Sequence, residues 1–239
     1  QSGNEDRIAF MFEITPVEGF RTNGCYVNCH SDGMYTNADG EKMDTWHWKA
    51  HRTNPLGYAD DKYLDNQIGD DGGRHGDSKG EGNLSYSKNR TEDKSKPKYM
   101  QNPSIHAKDE RFLLKDEAIE IKDYSIFKKG DTVPGYLLAR PKGSRGDVNA
   151  VGKWSNGTWT VEFSRKLNTG NPDDVVFSPT KEIYFGVAVF DNTGSGNHTV
   201  FAKSIELMFE EEVEEKASAS VIAILAGGAL AVFLLRRKK

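Results

Sequence analysis

The sequence predicts an all-β protein, an antiparallel β-sandwich followed by a C-terminal transmembrane helix. Three observations carry this prediction. Strand-length apolar runs recur along the chain, an Asn-Gly pair joins two of them, and no long amphipathic helix precedes an uncharged stretch near the C-terminus. The chain has 239 residues with 32 Lys+Arg against 36 Asp+Glu. Four of the basic residues are the last four, so the body is more acidic than the net charge of −4 implies. That balance excludes non-specific nucleic-acid binding as a main role. Two cysteines are too few for a disulfide scaffold of this length.

Arg7 to Ile14 (RIAFMFEI) reads as the first strand. Ile119 to Phe127 and Gly135 to Ala139 are weaker candidates. Trp154 to Trp159 (WSNGTW) places Asn156-Gly157 between two strand-like runs, a strong short hairpin signal. Thr158 to Phe163 alternates between polar and apolar, Ile183 to Phe190 (IYFGVAVF) is mostly apolar, and Thr199 to Phe209 is the last run. Residues 66–108 are rich in Gly, Asp, Ser and Lys and poor in aliphatics. They are expected to form an excursion from the sheet core or a partly disordered loop, and the paired acids Asp60-Asp61 and Asp70-Asp71 to be solvated or turn-forming.

The expected organisation is an extracytoplasmic β-sandwich over 1–209, an acidic spacer over 210–216, a transmembrane helix over 217–235 and a basic tail over 236–239. The stretch 217–235 holds no charged residue and as a helix is about 28 Å long, close to a bilayer core of about 30 Å. Arg236, Arg237, Lys238 and Lys239 follow it, so the positive-inside rule puts the tail in the cytoplasm and the body outside. Gln1-Ser2-Gly3-Asn4 reads as a mature end after leader removal. Glycosylation sequons at Asn83, Asn89, Asn156 and Asn197 fit an exported glycoprotein.

The chemistry concentrates at Cys25-Tyr26-Val27-Asn28-Cys29-His30. The usual covalent haem site is C-x-x-C-H, in which two thiols bind the haem edge and the His binds the iron. Here one residue is added. On a helical turn, i and i+4 share a face, so both sulfurs reach one macrocycle edge. Three other readings compete: a Cys25–Cys29 disulfide, a zinc site completed by His30 and a fourth ligand, and unrelated free thiols. The expected extracytoplasmic position favours haem, since covalent attachment takes place outside the cytoplasm.

Three further segments bear on family. They are Trp46 to Asp61 (WHWKAHRTNPLGYADD), Trp154 to Leu167 (WSNGTWTVEFSRKL) and Tyr184 to Asp191 (YFGVAVFD). With Arg7 to Ile14, they resemble in order the haem-binding domain of the ethylbenzene dehydrogenase gamma subunit and related type II DMSO-reductase-family enzymes, over roughly Arg7 to Phe209. The resemblance implies a β-sandwich holding one haem between a loop near the first strand and a loop before the last. In those subunits the haem is b-type with Met and Lys ligands. This sequence departs from that pattern, because Cys25, Cys29 and His30 occupy the segment that would carry the Met, as a c-type variant would. His198, in Asn192 to His198, falls near the second-ligand position.

The sequence-based expectation is therefore a membrane-anchored cytochrome c that transfers single electrons and is not itself an enzyme. One covalent haem is bound by Cys25 and Cys29, with His30 as proximal ligand and His198 as distal ligand. His47 is the main rival for the distal place, with Lys203 and Met43 behind it. Trp46, Trp48, Lys49 and Arg52 are expected to line the haem. The tryptophans would pack its face, or else form ordinary core, and the cations would pair with its propionates. The expected partners are redox proteins or a membrane respiratory complex. Two alternatives stand beside this reading: a haem-free surface sandwich with a Cys25–Cys29 disulfide, and a haem sensor or enzyme with an open iron site.

Overall fold

The computed structural model describes residues 4–76, 86–105, 111–194, 196–209, 221–226 and 229–234. In chain order the strands are β1 (Glu5–Glu13), β2 (Cys29–His30), β3 (Gly33–Met34), β4 (Met43–Lys49), β5 (Asp60–Gly76), β6 (Tyr86–Lys88), β7 (Tyr99–Gln101), β8 (Ala118–Glu120) and β9 (Tyr136–Leu138). They continue with β10 (Asn149–Ser155), β11 (Thr158–Ser164), β12 (Ile183–Thr193), β13 (Thr199–Val200), β14 (Ile205–Leu207), β15 (Val221–Ala226) and β16 (Ala229–Leu234). One short helix, α1 (Phe20–Asn23), is present among the described residues.

The organising element is an antiparallel sheet in the order β13-β12-β1-β4-β5, with β14 also paired to β12. Period two divides its side chains between two faces. On the first face, Phe10 and Phe12 of β1, Trp46 and Trp48 of β4, and Ile183, Phe185 and Val187 of β12 form the main core. The β10–β11 hairpin closes over them with Ala150, Val161 and Phe163, and Val175 and Phe177 complete the layer. Asn156 and Gly157 both take positive φ, 51° and 77°, as a two-residue hairpin turn requires. Gly152 faces the Trp48 ring so closely that a Cβ would stand 2.2 Å from it. Asn54 pins the layers together, its Oδ1 accepting from Trp48 Nε1 at 3.1 Å and from the Gly152 amide at 2.6 Å.

The all-β expectation holds, with differences in detail. The last run is not one strand but two short ones, β13 and β14. Of Ile119 to Phe127 only the start lies in a strand, β8, and Tyr124–Ile126 is a 3₁₀ turn. The polar excursion begins as part of the sheet. It doubles back within β5, bringing His75 Nε2 to 2.8 Å from Asp65 and its ring to 4.9 Å from Tyr63. In place of a helix over 217–235, Val221–Ala226 and Ala229–Leu234 pair as a hairpin, with β16 lying alongside β11. No helix among the described residues is long and apolar enough to cross a membrane.

Candidate functional site

The second face of the sheet is covered by the chain from Val17 to Met34. Gly24 begins a 3₁₀ turn, Gly24–Asn28, at φ +58°, where a Cβ would stand 3.0 Å from the Phe201 carbonyl. That close approach packs the start of the turn against the chain just after β13. Cys25 is packed face-down, and a Cβ on Gly186 would come within 2.2 Å of its Sγ. Asn28 is fully buried, its Nδ2 directed at Met43 Sδ (2.8 Å) and Met11 Sδ (3.6 Å). Cys29 then pairs with Met34 across the β2–β3 hairpin, which leans on β5 through Gly33 and Gly72. His30 stacks on Tyr35 with ring centroids 3.8 Å apart and 12° between planes. Its Nε2 is buried with no hydrogen-bond partner among the described residues.

The result is a soft-donor layer. Met11, Met43 and Cys25 lie in one buried cluster, with Cys29 and Met34 packed against it. Both cysteines and three of the five methionines of the chain are thus gathered on one face. Both cysteines are free thiols. Burial, with Cys29 as a second cause, pushes the Cys25 thiol up to about 12, and burial also raises Cys29 against the pull of Arg74. Neither is a thiolate at neutral pH.

The shared-face argument for Cys25 and Cys29 is not met. The 3₁₀ turn ends at Asn28, and Cys29 is extended, with φ −104° and ψ 102°. Cys25 therefore faces β12, while Cys29 opens a hairpin that rests on β5.

His198 is exposed, its Nδ1 donating to the Gly196 carbonyl and its ring 4.6 Å from Phe190. Phe190 also stacks on His47 at 5.4 Å. His47 Nε2 is buried with no hydrogen-bond partner among the described residues. Burial, then Lys49, Arg7 and Arg52, lowers its pKa well below the ordinary value, so the imidazole is neutral. His198 precedes β13, at one edge of the sheet, while the His30 hairpin rests on β5, at the other. Four strand spacings separate these edges, roughly 19 Å. The structure does not bring His30 and His198 to one iron.

Trp46 and Trp48 lie on the first face, within the main core, with the sheet between them and Cys25. They do not line the sulfur layer. Lys49 and Arg52 are committed to carboxylates, Lys49 to Asp60 at 2.7 Å and Arg52 to Glu5. Asp60 and Asp61 are not solvated. Both are buried, Asp60 among Lys49 and Arg145, and Asp61 near Arg165. Asn89 is buried as well, its Nδ2 donating to the Tyr99 and Pro134 carbonyls and its Oδ1 accepting two amides, so that sequon has no room for a glycan. Asn156 and Asn197 are exposed. Asn83 lies outside the described residues. Sequence reasoning missed Met11 and Met34 as members of the sulfur layer, because lone methionines in strands carry no spacing signal.

A family described as ethylbenzene dehydrogenase matches residues 1–200. The chain belongs to that family. No individually curated protein and no solved structure matches it. Membership supports a haem-binding, electron-transferring, non-catalytic subunit within a multi-subunit oxidoreductase, and hence protein partners.

The donor set of this family member accommodates a haem in kind. Iron accepts imidazole nitrogen and thioether sulfur. His30 offers a buried, unpaired Nε2, and the adjoining layer offers thioethers. The set suits two covalent thioethers less well, because Cys25 is turned into the sheet.

Proposed function

We propose that this protein carries one haem for single-electron transfer inside an extracytoplasmic oxidoreductase complex, with His30 Nε2 as the proximal iron ligand. The observation that carries the reading is the orphaned, buried Nε2 of His30 beside a layer of five sulfurs. When bound, haem iron takes up and releases one electron. The protein's own residues set the conditions for that exchange. Tyr35 clamps the His30 ring in one orientation. Met11 and Met43 form a polarizable, water-excluding floor, and Asn28 holds their sulfurs in place. Met34, on the same hairpin as His30, would supply the second iron ligand from this layer, in place of His198.

Cys29, half-buried and next to His30, is the better-placed thioether tether. Cys25 joins it only when the 24–28 turn lifts from Gly186. Covalent attachment through these thiols makes the protein a c-type member of a family whose gamma subunits hold haem b. We further propose that residues 217–235 anchor it to the membrane, with residues 236–239 in the cytoplasm. A 19-residue uncharged stretch between acidic and basic flanks supports that anchor. In lipid such a stretch satisfies its backbone groups as a helix.

A pyridine haemochrome spectrum with intact mass tests both the haem and its linkage. One haem per chain that survives acidified acetone is expected. Haem that is extracted identifies the b-type form, and a colourless protein ends the reading. His30→Ala should abolish the low-spin bands, and His198→Ala should leave them unchanged.

A further inference from the structure

Three of the chain's four tryptophans touch in series. Trp48 lies in the first-face core, 1% exposed. Trp159, on β11, packs against it edge-on, with ring centroids 5.0 Å apart and 68° between planes. Trp154, its partner across the β10–β11 hairpin, follows at 5.4 Å and 55°. These are the separations of contacting aromatic rings. Trp154 is 54% exposed, so the series runs from the core to the surface. Burial accounts for Trp48 but not for Trp154, which leaves half of its surface in water.

The two inner indoles donate to acceptors of different chemistry. Trp48 Nε1 donates to the amide oxygen of Asn54 at 3.1 Å. Trp159 Nε1 donates to the carboxylate of Asp6, with Oδ2 at 2.8 Å. The other Asp6 oxygen accepts the Asn192 amide at 2.8 Å, so the carboxylate is held from both sides. A hydrogen bond to an ionised acceptor is stronger than one to a neutral acceptor. The difference grows on oxidation, because an indole that has lost an electron is acidic at its N–H. A carboxylate takes that proton and an amide oxygen does not. At Trp154 the proton would have to pass to water, a weaker base than a carboxylate. Removing an electron therefore costs least at Trp159, and an electron vacancy on any of the three rings settles there.

We propose that Trp159 is a redox-active residue that holds one oxidising equivalent, with Trp154 as its electron contact to the surface and Asp6 as its proton acceptor. A strong one-electron oxidant in solution takes an electron from Trp154. Trp159 returns an electron to Trp154 and passes its Nε1 proton to Asp6 Oδ2. This leaves a neutral indole radical at Trp159 and a neutral carboxylic acid at Asp6. A one-electron reductant of the thiolate or ascorbate class then supplies an electron through Trp154, and the proton moves back from Asp6 to Nε1. Trp48 lies behind Trp159 and has only an amide oxygen on its N–H, so the vacancy goes no deeper. The series keeps oxidising equivalents out of the aromatic core. None of the residues in it belongs to the sulfur layer, so this proposal and the haem reading fail separately.

The test oxidises the full-length protein with photogenerated ruthenium(III) tris-bipyridine, freezes it at set times and reads the radical by electron paramagnetic resonance. The wild type should give a long-lived neutral tryptophan radical. Trp159→Phe should lose that signal and leave only a short-lived radical at exposed Trp154. Asp6→Asn should cut the yield of the neutral radical roughly tenfold, since the proton loses its charged acceptor. Trp154→Phe should slow the loading and leave the shape of the spectrum unchanged. No tryptophan radical in the wild type, or the same spectrum and lifetime in Trp159→Phe, overturns the proposal and makes the three rings a plain aromatic cap. An unchanged yield in Asp6→Asn overturns the proton transfer, and unchanged loading in Trp154→Phe overturns the surface contact. Should Trp159→Phe fail to fold, Asp6→Asn decides, because a radical at Trp154 would not respond to it.

Discussion

Lys49 and Asp60 form an ion pair with almost no access to solvent, Nζ standing 2.7 Å from Oδ2. Arg145 Nε holds the other oxygen at 3.0 Å. Burial by itself would raise the Asp60 carboxyl, but the two cations reverse this and keep it far below the usual carboxylate range. Removing one partner of such a pair leaves an uncompensated buried charge. Lys49→Met should therefore lower unfolding stability by about 3–5 kcal/mol, measured by urea titration with the slope unchanged. A loss below about 1 kcal/mol would mean that Arg145 alone suffices.

Asp44 and His47 stand three residues apart on β4, face opposite sides of the sheet and respond to pH in opposite senses. Burial raises the Asp44 carboxyl from 3.8 to about 6, against the pull of Arg165. Its folded form binds a proton more tightly than the unfolded chain does. Its contribution is therefore complete below about pH 4 and is lost as pH rises through 6. His47 is held neutral, its pKa lowered by burial and neighbouring cations. Its contribution is present above 6.5 and is lost as pH falls below that value. Variants separate the two. The stability advantage of wild type over Asp44→Asn should shrink by roughly 2–3 kcal/mol between pH 4 and pH 7. The advantage over His47→Gln should grow across the same range.

Much of the fold was legible because its signals are local. The alternation in Arg7 to Ile14 and the Asn156-Gly157 turn depend only on neighbours along the chain, and both are strands or turns as expected. β4 was harder to see, since Trp46-His47-Trp48 reads as a binding motif when the sheet that buries alternate members is unknown. Charge placement was the least legible feature. Asp60-Asp61 looks like a solvated pair, yet period two sends one carboxylate to Lys49 and Arg145 and the other toward Arg165, which lies more than 100 residues away. The Cys25-to-His30 motif was visible at once. Its geometry was not, because the turn ends at Asn28 and leaves Cys29 extended, with Cys25 and Gly24 packed against residues far along the chain, Gly186 and Phe201.

The contact of Cys25 with Gly186 makes a prediction about the cysteines. Gly186 leaves just enough room for Cys25 Sγ, so Gly186→Ala must push the 24–28 turn off β12. Overpacking of this kind costs about 1–3 kcal/mol. In haem-free wild type, a thiol reagent should modify Cys29 first and Cys25 slowly, since the Cys25 thiol is buried and its pKa is about 12. In Gly186→Ala the two rates should converge. Equal rates in the wild type would show that the turn already lifts by itself, which is the movement a second thioether requires.

The C-terminal segment offers two physical outcomes that a single truncation distinguishes. In the structure, β15 and β16 pair as a hairpin with β16 beside β11. If that hairpin is part of the sandwich, ending the chain after Phe209 strips cover from β11 and lowers the unfolding temperature of the domain. If residues 217–235 anchor the protein in lipid, the truncated domain keeps its unfolding temperature and loses only its association with vesicles. The absence of charge over 19 residues favours the second outcome, because transfer of such a stretch to a bilayer is strongly favourable while its polar backbone is satisfied within a helix. Vesicle flotation of the full chain and the truncated chain, with thermal melts of both, gives the answer. A full chain that stays in the aqueous fraction and a truncated chain that melts earlier would refute the anchor.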